Sequence, residues 1–115
     1  MTTVTIFKRA DGFITGYRAR GHAGSGKYGN DIVCAAISVL VQSTGDGIVN
    51  VVKARAHLRI DEDSGFYELI LDENQESRAS EGAQILLKTF ENAITAIAKD
   101  REYSDYVRMN YTERR

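Results

Sequence analysis

Two β-rich runs, residues 4–9 and 13–20, stand either side of Ala10-Asp11-Gly12, and no other feature of the chain narrows its folds as much. Asp-Gly between such runs is a strong short-range hairpin signal. The chain is therefore expected to open as an antiparallel pair. From Asp31 the spacing of apolar residues changes from two to three or four, through Val33, Ile37, Leu40, Val41, Thr44, Ile48 and Val51. That spacing predicts a long, mostly buried helix. Gly45 and Gly47 each weaken a helix interior by about 1 kcal/mol relative to alanine. A break would fall near Asp46, although a continuous helix is expected.

Farther on, Ala56, Leu58 and Ile60 alternate with Arg55, His57 and Arg59, and Tyr67, Leu69 and Leu71 alternate with Phe66, Glu68 and Ile70. An acidic, Gly-containing turn at residues 61–65 joins them into a second hairpin. Residues 72–80 read as a polar loop. Ala83, Leu87, Phe90, Ile94 and Ile97 then form one stripe of a second amphipathic helix, with Ser80 as its N-cap and Glu81 in its first turn. Residues 106–111 alternate weakly, as an edge strand would. The order ββαββαβ predicts an α+β single domain over residues 1–115. Its antiparallel sheet, made of the two hairpins plus a C-terminal strand, carries two α-helices packed on it.

Composition closes off several classes. A chain of 115 residues with 43% hydrophobic and 27% charged residues is ordinary globular material. Its formal net charge of -1 gives no pull toward nucleic acid or a membrane surface. A single cysteine excludes an internal disulfide, and the first residues lack the apolar core of a signal peptide. A reducing cytoplasm is the expected setting. No apolar run is expected to approach the roughly 18 to 20 residues that span a bilayer, so a soluble protein is expected.

The chemistry gathers where a glycine-rich segment, Gly21-His22-Ala23-Gly24-Ser25-Gly26-Lys27-Tyr28-Gly29-Asn30, runs through Asp31 into Cys34. A thiolate is the reactive form of cysteine, and a helix N-terminus or a neighbouring histidine favours it. With Asp31 as N-cap, Cys34 would be the third helical residue. The free amides of that turn would favour its anion and an oxyanion beside it. His22 would be the base. Asp31 has two competing readings, a helix cap or a third group that orients His22. Ser38 follows Cys34 by one turn on the same face. The bland alternatives are a buried, inert cysteine and a histidine satisfied by backbone. His57 sits on the solvent face and is assigned no role. The same residues fit the nucleotide-loop pattern G-x-x-x-x-G-K. Tyr28 cannot supply the magnesium-binding hydroxyl, however, and Gly29 and Asn30 would delay the helix. One cysteine and two histidines also fall short of a zinc ligand set.

At Gly21-His22-Ala23 and at Tyr28-Gly29, Asp31-Ile32-Val33-Cys34-Ala35-Ala36 and Ser38 the chain resembles the bacterial ribosomal-processing cysteine protease family Prp. The resemblance covers essentially the whole length. It implies Cys34 as nucleophile, His22 as general base and acid, Asp31 as third member, and Gly21 and Ser38 as supporting positions. It maps a substrate-gating loop onto Ala23, Gly24, Ser25, Gly26, Lys27, Tyr28, Gly29 and Asn30. It further implies a homodimer with no metal or cofactor, whose substrate is the N-terminal extension of bacterial large-subunit ribosomal protein number twenty-seven. No membrane and no direct nucleic-acid contact are expected. The alternative is a non-catalytic ribosome-associated assembly or binding module, and a third reading is a thiol redox sensor.

Overall fold

The structure is a computed structural model that describes residues 1–21 and 28–113. Strands β1 (Thr2–Lys8) and β2 (Ile14–Arg20) form the expected hairpin. Its turn closes when the Asp11 carboxylate accepts the Phe13 N–H at 3.0 Å and Arg9 accepts the Gly12 N–H at 2.9 Å. Helix α1 (Tyr28–Asp46) follows, then strands β3 (Ala56–Asp61) and β4 (Phe66–Leu71), helix α2 (Ser77–Lys99) and strand β5 (Val107–Thr112). The sheet order is β3-β4-β2-β1-β5.

One pairing departs from the expected antiparallel sheet. β5 runs parallel to β1, with Thr2 opposite Val107 and Phe7 opposite Thr112, so the sheet is mixed. The cause lies in the connections. Each helix links two strands that point the same way, β2 to β3 through α1 and β4 to β5 through α2. Crossovers of this kind are what parallel neighbours require.

The helices cover one face of the sheet. Ala83, Leu87, Phe90 and Ile94 of α2 are buried as the stripe predicts, and Phe90 meets Tyr17 with ring centroids 4.4 Å apart. Val33, Ile37, Val41 and Ile48 seal the core from the α1 side. Each such side chain contributes roughly 2 kcal/mol by leaving water. On the uncovered face a row of register partners, Arg18, Glu68 and Arg59, crosses β2, β4 and β3. Glu68 is nearly inaccessible there because Arg18 pairs with it at 2.7 Å and Arg59 at 3.4 Å.

Both helices begin three residues before their expected caps. α1 starts at Tyr28, so Asp31 lies inside its first turn and is no N-cap. α2 is capped at Glu76 without a side-chain bond, and the Ser80 N–H is already bonded to the Glu76 carbonyl at 2.9 Å. Near Asp46 the helix neither stops nor continues unchanged. It passes into a π-helical turn, Gly47–Val51, in which the Val52 N–H reaches the Gly47 carbonyl at 2.9 Å. Taken as a helix rather than an unbroken apolar run, Gly29–Val51 is long and apolar enough to cross a membrane, contrary to the expectation above. Its apolar side chains Val33, Ile37, Val41 and Ile48 are buried in the core, the pattern of an amphipathic core helix.

Candidate active site

Cys34 is the seventh residue of α1 and is 4% exposed. It sits beside the start of β1, where the Thr2 hydroxyl lies 2.9 Å from its sulfur. Cys34 belongs to the wall of a groove of about 530 Å³ between α1 and the β3–β4 hairpin. Ile37, Ser38, Val41 and Gln42 continue that wall along α1, and Leu58 and Ile60 of β3 face them.

Leu58 and Ile60 share the alternation that marks a core face, yet they are 42% and 55% exposed. β3 is an edge strand, and its inward face meets the groove where a core residue would meet a helix. The width of the groove is set at its far end. The Tyr67 ring stacks on Tyr17 at 5.9 Å, and Tyr17 donates to the Val41 carbonyl at 2.7 Å. Tyr67 lies against the backbone of α1 at Gly45, where a side chain would collide with its hydroxyl. Burial pushes both phenols above the ordinary tyrosine range, so both stay neutral.

Gly21, at the end of β2, lines the same groove. Its φ of +147° is a conformation that side-chain-bearing residues rarely adopt, and a Cβ there would lie 2.5 Å from the Met1 carbonyl and 2.8 Å from the Thr2 Cα. Its N–H donates to the Gly65 carbonyl at 3.1 Å. Gly21 is thus held from both sides, against β1 and against the β3–β4 turn.

Cys34, Ser38 and Gly21 therefore meet at one groove. Asp31 is half-buried one turn before Cys34 on α1. His22, Ala23, Gly24, Ser25, Gly26 and Lys27 lie outside the described residues. Tyr28, Gly29 and Asn30 belong to the first turn of α1 rather than to a loop, with Asn30 buried and Gly29 packed against the Tyr106 ring. The early start of α1 also corrects the expected electrostatics. Cys34 is the seventh residue of α1 rather than the third, so its N–H lies beyond the first turn whose amides were expected to favour its anion. It also removes one objection to a nucleotide loop, since the helix follows Lys27 directly. The other objections stand: Tyr28 occupies the hydroxyl position, and β2 is antiparallel to both its neighbours. Thr2 escaped the sequence reading. It is 32 residues from Cys34, and no local pattern links them.

The family model described as Cysteine protease Prp matches residues 1–108. The ribosomal processing cysteine protease Prp of Staphylococcus aureus (strain Mu50 / ATCC 700699) is 30% identical over 112 residues, covering 96% of this chain and 99% of the relative. The crystal structure of an essential ribosomal processing protease Prp from S. aureus in complex with a substrate peptide superposes with a TM-score of 0.82 at 27% identity, over 97% of this chain and 100% of that one. Its complex with a covalently linked product peptide gives 0.79 at 28% identity, with the same coverage. A whole-length sequence match and a shared fold, on a chain whose one cysteine lines a groove, make this protein a member of the cysteine protease Prp family.

Proposed function

We propose that this protein is an endopeptidase that removes the N-terminal extension of bacterial large-subunit ribosomal protein number twenty-seven, working in the cytoplasm as a homodimer. The observation that carries the reading is the position of Cys34, the chain's one cysteine, in the wall of a groove of about 530 Å³. The S. aureus relatives are named for ribosomal processing and crystallised with substrate and with covalently linked product peptides, which supports both the substrate class and a covalent route.

In the proposed mechanism His22, the residue after Gly21, takes the Cys34 proton, and the thiolate attacks the scissile carbonyl carbon. Collapse of the tetrahedral intermediate breaks the C–N bond as His22 gives its proton to the leaving amine. Water, deprotonated by His22, then hydrolyses the thioester and restores the thiol. Asp31 orients His22 and stabilises its imidazolium. The oxyanion that forms on attack needs hydrogen-bond donors beside it.

The test is cleavage of a synthetic peptide spanning the extension, resolved by mass spectrometry. A single cut is expected, falling at least about a thousandfold in Cys34→Ala. Equal cleavage by the folded variant would overturn the reading.

A further inference from the structure

We propose that Thr2 is a positioning residue for proteolysis: its hydroxyl holds the Cys34 sulfur at the groove wall and donates a hydrogen bond to it as the thiolate. The proposal rests on the reading of Cys34 as nucleophile. Three observations support it. The Thr2 Oγ1 to Cys34 Sγ distance is 2.9 Å, between two residues that are each 4% exposed. Either atom can donate while the sulfur is a thiol, but a thiolate has no proton, so the hydroxyl must then be the donor. A charge-assisted bond in a dry setting is stronger than a neutral one.

The second observation is that Thr2 is locked by backbone on both sides. It pairs in register with Val107 of β5, and its Cα lies against Gly21. β-Branching further restricts its side-chain torsion. A donor fixed in this way loses little freedom when the anion forms. The third is that one residue touches both parts of the site, the sulfur through its hydroxyl and the root of the segment that begins with His22 through its backbone. Thr2 thereby sets the sulfur relative to the point where β2 ends.

Asp31 lies one turn earlier on α1, and the charged groups that line the same groove are Arg20 of β2, Asp46 at the end of α1, Asp61 at the end of β3 and Glu62 of the following turn. His22 follows Gly21 in the chain. All of these are unchanged by substitution at Thr2, so differences between Thr2 variants report the hydroxyl.

The experiment uses Thr2→Val, which keeps the branched shape and the strand pairing, and Thr2→Ser, which keeps the hydroxyl. Because Cys34 is the only cysteine, iodoacetamide alkylation and thiolate ultraviolet absorbance of the whole protein both report it. In Thr2→Val the pH midpoint of both signals is expected to rise by about one unit. The kcat for the extension peptide should fall roughly tenfold at unchanged KM. Thr2→Ser should restore midpoint and kcat. An unchanged midpoint and kcat in folded Thr2→Val would overturn the proposal, as would failure of Thr2→Ser to rescue. Intact cleavage by Cys34→Ala would instead overturn the reading of Cys34 as nucleophile, while the shifted midpoint would still support the Thr2–sulfur bond.

Discussion

Helix α1 and strand β3 face each other across one groove, but they are held in place differently. The α1 wall is anchored from behind: Ile37 and Val41 are buried, and Tyr17 and Tyr67 press on the helix at Val41 and Gly45. The β3 wall is an edge strand with one neighbour, and its Leu58 and Ile60 side chains stand in solvent. Cys34, the proposed nucleophile, belongs to the anchored wall and is buried there. The adaptable wall offers apolar contact surface for a side chain of a bound peptide. Precision and accommodation are assigned to different elements, so they should fail separately under mutation.

The largest effect should come from the anchored wall. In Gly45→Ala the new methyl would collide with the Tyr67 hydroxyl and lie 3.3 Å from that of Tyr17. Overpacking should cost about 2 kcal/mol, net of the smaller gain in helix propensity. Urea unfolding measures it, and Gly45→Ala combined with Tyr67→Phe should recover much of the loss. A Gly45→Ala protein as stable as the parent would remove the case for a rigid α1 wall.

The adaptable wall should respond in binding instead. Leu58→Ser with Ile60→Ser should leave stability within about 0.5 kcal/mol. It should raise KM for the extension peptide about tenfold at unchanged kcat. A drop in kcat alone would erase the division between the walls, and a change in sedimentation would assign this face to a second copy of the chain.

The smallest effect is at Tyr17. Tyr17→Phe loses the bond to the Val41 carbonyl, at a cost of about 1 kcal/mol. Burial raises the Tyr17 and Tyr67 phenols, so the folded state holds those protons more tightly than the unfolded chain does. Their contribution is complete below about pH 10 and is lost as pH rises through the folded values. Unfolding midpoints measured on either side of about pH 10 should therefore fall more steeply in the parent than in Tyr17→Phe.

What the sequence makes legible follows from the range of each interaction. Asp11-Gly12 and the stripe from Ala83 to Ile94 act within a few residues, and both turned out as read. The parallel pairing of β5 with β1 joins opposite ends of the chain, and no local period encodes it. Asp31 and Ser80 are favoured capping residues, but packing carries each helix one turn farther back, as at Gly29 against Tyr106. Alternation at Leu58 and Ile60 marks a face without saying what covers it. Cys34 stands out as a candidate nucleophile from its neighbours in sequence. Its contact with Thr2 needed the fold.

The position of β1 inside the sheet, between β2 and β5, bears on how the protein is made. A chain emerging from its N-terminus can close the β1–β2 hairpin early, because that contact is local. The other edge of β1 has no partner until β5, the last strand in chain order, has been synthesised. Thr2 belongs to that late-sealed edge, opposite Val107. A half-made chain thus carries both Thr2 and Cys34 before the strand that pairs with Thr2 has been synthesised.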